Sequence, residues 1–190
     1  PASMALIVGS EEITSALFGY GAFDIFSVSK SARALYYFAL GLPAFAIIKV
    51  FSTFLFARND TKTPFYYSLI SVLINISISL LFFDEIGFII IPIATSISSW
   101  INALLLLIKL SNNNYFNFRN IFCFTNLKIL VVSVISILVF YILIDLFKDF
   151  LVYESELKLL TIIVLVIITV LIYILISLLT KTFKYSDIKL

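Results

Sequence analysis

The sequence contains no histidine and a single cysteine, Cys123. The first absence removes the commonest metal ligand and general base. The second excludes a disulfide within the chain. Charge is scarce: Asp, Glu, Lys and Arg make up 13% of the 190 residues, against 62% hydrophobic. A soluble globular domain carries about a quarter charged residues and about half apolar ones, so that class is excluded. The apolar runs show no two-residue alternation, which excludes the pattern of a transmembrane barrel. No aspartate or glutamate falls in the middle of an apolar run, Asp145 lying two residues from the end of one, so a proton relay through carboxylates buried mid-span is absent from this part of the protein. No nucleophile–base pair, metal cluster or phosphate loop is visible, and an enzyme reading has little support. No cofactor is expected.

What the chain does have is long apolar runs and a mean hydropathy of +1.15. A run of roughly 20 residues is long enough to cross a bilayer, so the expected class is an all-α, polytopic transmembrane helix bundle. Residues 1–18 read as the tail of one helix, with Glu11 and Glu12 marking where it leaves the apolar layer. Residues 19–30 read as a connector, with Asp24 or Ser27 available to cap the next helix. Five full spans follow, at 34–57, 65–83, 88–110, 127–147 and 159–179. Between them lie a polar loop (58–63), an acidic turn (84–87), an Asn-rich linker (111–126) and a charged loop (148–158). A basic tail, 180–190, ends the chain. Thr63 is expected to cap the second span, with Pro64 at its first helical position. The start at Pro1, without an initiator methionine or a signal peptide, reads as the beginning of a C-terminal fragment.

Basic residues favour cytoplasmic loops. Arg58, Lys62, Lys109, Arg119, Lys128, Lys181, Lys184 and Lys189 fall on one side of the alternating loops, with only Asp60 and Asp187 as acids. The other side holds most of the acids, among them Glu11, Glu12, Asp84, Glu85, Asp149, Glu154 and Glu156. The first side is therefore expected to be cytoplasmic, and the C-terminus with it.

Lys49 is the one charge deep inside a span, since Lys109, Lys128 and Asp145 lie within two residues of span ends. It lies about 5 Å from the span midpoint at 1.5 Å per residue, roughly 10 Å short of the interface. Its Cα–Cβ bond tilts toward the helix N-terminus, away from the nearer surface. Ser52 and Thr53 share its face. Lys49 is thus either a structural lysine bonded to a neighbouring helix, or a cation lining a water-filled cavity that receives an anionic substrate. Gly41 and Pro43 in the same helix make a kink and a hinge candidate. The second span carries Ser68, Ser71, Asn75 and Ser79 on one face, and the third carries Thr95, Ser98, Ser99 and Asn102. Such stripes suit helix–helix packing or, alternatively, a cavity lining. The last two spans, rich in Ile, Leu and Val, face lipid or offer a groove to a lipid tail.

The segments PAS…ALFGYGAFD, ALGLPAFAIIKV, FARNDTKTP and ATSISSWINALLL resemble the MurJ (MviN) lipid II flippase family, within the multidrug, oligosaccharidyl-lipid and polysaccharide exporter superfamily. Gly41 to Pro64 carries the most specific part of the likeness. The resemblance implies a fourteen-helix, two-lobe fold around a cationic cavity, with two additional C-terminal helices forming a groove for a polyprenyl tail. Residues 1–110 would be the end of the C-terminal six-helix lobe, 111–126 a cytoplasmic linker, and 127–190 the additional helices and tail. It implies transfer of lipid-linked peptidoglycan precursor across the bacterial inner membrane by alternating access, in the service of cell-wall biogenesis and cell shape. Lys49, with Ser52 and Thr53, would contribute to the substrate cavity. Arg58, Asp60, Lys62 and Thr63 would shape a cytoplasmic gate loop. The arginines most tied to the family's function lie upstream of this chain. Implied partners are the lipid-linked precursor and membrane lipid, with cell-wall synthesis proteins as candidates and no nucleic acid. The alternatives are another exporter of the same superfamily, or a non-transporting membrane scaffold.

Overall fold

A computed structural model describes residues 1–115 and 124–180. Arg119, Cys123, the remainder of the expected linker (116–123) and the tail beyond Thr180 lie outside the described residues. The described chain is helical: α1 (Ala2–Val8), α2 (Ser10–Phe18), α3 (Ile25–Ala57), α4 (Lys62–Ile86), α5 (Ile90–Asn112), α6 (Phe124–Leu146) and α7 (Lys158–Leu179). Four stretches are long and apolar enough to cross a membrane, and the longest, Lys62–Asn112, contains both α4 and α5. These two run antiparallel, since Ser71 bonds to Ser98 while Asn75 bonds to Thr95. Gly87, at φ 74°, makes the reversal, and a short 3-10 turn, Gly87–Ile89, leads into α5. Four hydropathic stretches thus supply the five expected passes.

Several boundaries differ from the sequence reading. The expected single helix over 1–18 is divided at Gly9, which is flush against Phe140: a Cβ there would lie 2.8 Å from its ring. The connector is shorter than expected, because α3 begins at Ile25 instead of residue 34. Asp24 caps it, its carboxylate accepting from the Ser27 amide at 2.8 Å; bonds from Ser27 hold that carboxyl below the usual carboxylate range. At 33 residues α3 is about 50 Å long, longer than the hydrocarbon layer is thick. Its first turns, with Lys30 and Arg33, are helical without being apolar. The acidic turn at 84–87 is likewise mostly helix, as α4 runs to Ile86.

The chain forms two compact units. One comprises residues 1–32 together with the described residues from 124 onward; the other comprises 33–115. In the first, Ala16, Phe140, Ile144, Leu151, Ile162 and Leu165 form a buried apolar cluster. In the second, Leu55, Leu106 and Leu110 bring the ends of α3 and α5 together. The polar stripes of α4 and α5 meet each other. The Ser71 hydroxyl donates to the Ser98 carbonyl at 2.8 Å. The Asn75 amide donates to Thr95 Oγ1 at 3.0 Å and to Ser98 Oγ at 3.4 Å. Each such bond contributes about 0.6 kcal/mol in a membrane helix pair. The stripes are therefore a packing device.

Candidate functional site

In the unit built from residues 33–115, Lys49 lies on an exposed face of α3. Its side chain has no hydrogen bond or ion pair to the described residues. Thr53 is beside it: its hydroxyl donates to the Lys49 carbonyl at 2.8 Å, one turn back along the helix. Ser52 is half-buried. The geometry leaves a cation on an apolar helix of membrane-spanning length, with no internal acceptor drawing it in.

Two turns earlier, α3 stays helical through Pro43. Proline deprives a carbonyl of its helical donor and disturbs its neighbours. Side chains of α5 bond to carbonyls just upstream: Ser96 Oγ donates to the Tyr37 carbonyl, and Trp100 Nε1 to the Leu40 carbonyl at 3.0 Å. Gly41 makes this approach feasible. A Cβ at Gly41 would lie 2.8 Å from Ser96 Oγ and 3.1 Å from its Cα. Gly41 is thus brought against α5, whereas Pro43 is exposed.

The loop after α3 is a defined corner. The Asp60 amide donates to the Leu55 carbonyl and the Asn59 amide to that of Phe56, both at 3.0 Å, with Asn59 at φ 61°. This is the Schellman helix stop, which needs a left-handed residue that asparagine tolerates. The end of α5 repeats it: the Tyr115 amide bonds to Leu110 and the Asn114 amide to Ser111, both at 2.9 Å, with Asn114 at φ 56°. Between the two corners the Arg58 guanidinium lies 4.8 Å from the Phe54 ring centre and 3.9 Å from that of Tyr115. Thr63 is not the cap. The helix starts earlier, at Lys62, and Asp60 accepts from the Thr63 amide at 3.0 Å and its hydroxyl at 2.7 Å. A carboxylate can take both donors at once, whereas the hydroxyl of Thr63 is used up in the contact.

Those bonds hold the Asp60 carboxyl below the usual carboxylate range. A depressed carboxylate stabilises the fold above its unfolded pKa, near 3.9, and the contribution is lost as pH falls through the folded value. Asp60→Ala is expected to cost about 1 kcal/mol, the typical value of a helix cap. Thermal unfolding of the full-length protein at about pH 7 and about pH 3 checks it, because the difference from wild type should shrink at the lower pH.

In the other unit, α1, the start of α2, α6 and α7 enclose an apolar groove of about 360 Å³. Ala5, Leu6, Ile13, Ile137, Phe140, Val166 and Val170 line it, with Ser136, Thr169 and Tyr173 as its polar members. The Ser136 and Thr169 hydroxyls are returned to their own helices, to the carbonyls of Val132 and Leu165. The groove therefore presents hydrocarbon to whatever enters it.

Lys158, expected in a charged loop, is instead 2% exposed at the first position of α7. Its ammonium donates to the carbonyls of Gly19 and Tyr153, both at 2.6 Å. It also lies 4.3 Å and 4.5 Å from the ring centres of Tyr20 and Tyr153. One sequence signal was available: a lysine in a helix's first turn opposes the helix dipole and so calls for a partner elsewhere.

Apolar helices of membrane-spanning length define a multi-pass membrane protein, which carries an apolar groove and, on α3, the exposed Lys49. The lipid II flippase MurJ family model matches residues 1–161, and the chain belongs to that family. A probable lipid II flippase MurJ of Rickettsia prowazekii is 38% identical over 102 residues, which cover 54% of this chain and 20% of the relative. That of Rhizobium meliloti is 42% identical over 106 residues, covering 56% and 20%. That of Buchnera aphidicola subsp. Acyrthosiphon pisum is 31% identical over 147 residues, covering 75% and 28%. The solved structure of a lipid II flippase MurJ in an inward closed conformation superposes with a TM-score of 0.73 at 29% identity, covering 93% of this chain and 34% of that one. The chain thus spans about a fifth of the length of the first two curated relatives.

Proposed function

We propose that this chain is part of a lipid II flippase, which carries lipid-linked peptidoglycan precursor from the inner to the outer leaflet of the bacterial cytoplasmic membrane by alternating access. The observation that carries the reading, beside family membership, is Lys49. An exposed cation on a span is costly in hydrocarbon, and with no acceptor among the described residues it suits a watered cavity and an anionic pyrophosphate headgroup. In this proposal Ser52 and Thr53 complete that face, and Gly41 and Pro43 act as a hinge. Arg58, Asp60, Lys62 and Thr63 shape a gate loop at the cytoplasmic surface, with the C-terminus on the same side. The division at 111–126, between a six-helix lobe and two additional helices, belongs to the same reading.

The groove walled by α6 and α7 takes the polyprenyl tail. Val170→Trp would fill it with side chain. Losing the burial of one or two tail branches, worth about 1.5–3 kcal/mol, lowers affinity roughly tenfold or more. The expected result, in vesicles containing the full-length variant, is slower translocation at low concentrations of labelled precursor. An unchanged rate would remove the groove from the substrate path.

A further inference from the structure

At one end the groove abuts a buried apolar cluster, through Phe140 and Ile13. That cluster also contains Ala16, Ile144, Leu151, Ile162 and Leu165. One layer further on lies Lys158. Its contacts reach the segment after α2, through Gly19 and Tyr20, and the α6–α7 connection, through Tyr153. The Tyr153 hydroxyl extends the same tie by donating to the Phe23 carbonyl at 2.8 Å.

The chemistry of this contact is particular. A buried ammonium needs its three donors and its charge answered. Here two carbonyls and two ring faces do so, and no carboxylate among the described residues takes part. Gly19 is the residue that ends α2, and its amide bonds back to Ser15. The carbonyl end of a helix carries partial negative charge, so Lys158 is well placed for α2 although badly placed for its own helix. The fit is close: a Cβ at Gly19 would lie 2.6 Å from the Ser15 carbonyl oxygen, 3.1 Å from the Tyr153 ring and 3.3 Å from the Lys158 nitrogen.

We propose that Lys158 is a positioning residue for the groove, latching the end of α2 to the start of α7 so that the two walls are held together at that end. The part that concerns a lipid tail rests on the proposed function; the latch itself does not. Lys158→Met removes the charge and keeps the apolar stem. Lys158→Arg keeps the charge and can still donate to both carbonyls. Gly19→Ala leaves the lysine and crowds both its contact and the Ser15 carbonyl at the end of α2.

The experiment uses purified full-length protein. Backbone hydrogen exchange is read in the peptides covering residues 17–24 and 153–162, with those of the α4–α5 hairpin as internal reference. Lys158→Met and Gly19→Ala are expected to speed exchange at least tenfold in the first two regions and to leave the hairpin unchanged, with Lys158→Arg near wild type. In parallel, a photoreactive long-chain isoprenoid phosphate is cross-linked and mapped to residues 166–173. Capture is expected to fall at least fivefold in Lys158→Met and to be restored in Lys158→Arg. Unchanged exchange in both disrupting variants overturns the latch. Faster exchange with unchanged capture overturns the positioning role and leaves the groove reading standing. Absence of capture in wild type overturns the groove reading, and exchange alone then decides the latch. Should Lys158→Met fail to fold, Lys158→Gln carries both comparisons.

Discussion

Replacing Lys49 with alanine in the full-length protein is expected to abolish support of growth when the resident lipid II flippase is depleted, at expression equal to wild type. A charge-assisted hydrogen bond contributes about 1.5–3 kcal/mol, or roughly ten- to a hundredfold in binding of an anionic headgroup. Lys49→Arg keeps the charge and is expected to retain most of the function. The alternative role for Lys49, a structural bond to a neighbouring helix, predicts a different signature. Alanine would then lower thermal stability and arginine would not reliably rescue. Lys49 has an exposed side chain, and only the carbonyl of its backbone engages Thr53. Truncation is therefore expected to leave the folding of residues 33–115 intact. Wild-type growth of the alanine variant would remove Lys49 from the transport path.

Gly41→Val is expected to produce the largest loss of stability. Its Cβ would meet Ser96 at 2.8 Å and 3.1 Å, with two methyl groups still to place. Overpacking of a close contact costs about 1–3 kcal/mol. The valine also pushes Ser96 away from the Tyr37 carbonyl, and α3 would then have to separate from α5. Small residues allow membrane helices to approach closely where no hydrophobic force draws them together. A lower unfolding temperature of the full-length variant, with a smaller drop for Gly41→Ala, checks this. Unchanged stability would show that α3 and α5 do not meet at Gly41.

The apolar runs made the helices and their order legible, because a bilayer imposes both length and composition on a span. The α4 and α5 stripes were legible too: Ser71, Asn75, Thr95 and Ser98 recur at helical spacing, and they bond to one another. Helix starts were harder to read. Hydropathy marks where a chain enters hydrocarbon, whereas helix α3 begins where Asp24 caps it, nine residues before the apolar run. At the next corner, Thr63 and Pro64 made a plausible cap signal, but Asp60 outcompetes the hydroxyl by accepting from both groups of Thr63. Lys158 was the clearest miss. Counting charges by loop treats every terminal lysine as solvated, while the acceptors that bury this one, Gly19 and Tyr153, are backbone carbonyls that leave no mark in composition. For the candidate site, the sequence isolated Lys49 and the structure adds its exposure. The groove depends on how α1, α2, α6 and α7 assemble, which no single segment encodes.

Transfer itself is measured by reconstituting the full-length protein into vesicles with labelled lipid-linked peptidoglycan precursor in the inner leaflet and following its arrival in the outer one. Transfer well above that of empty vesicles is expected, reduced roughly tenfold or more by Lys49→Ala. Transfer no faster than in empty vesicles would contradict the proposed function.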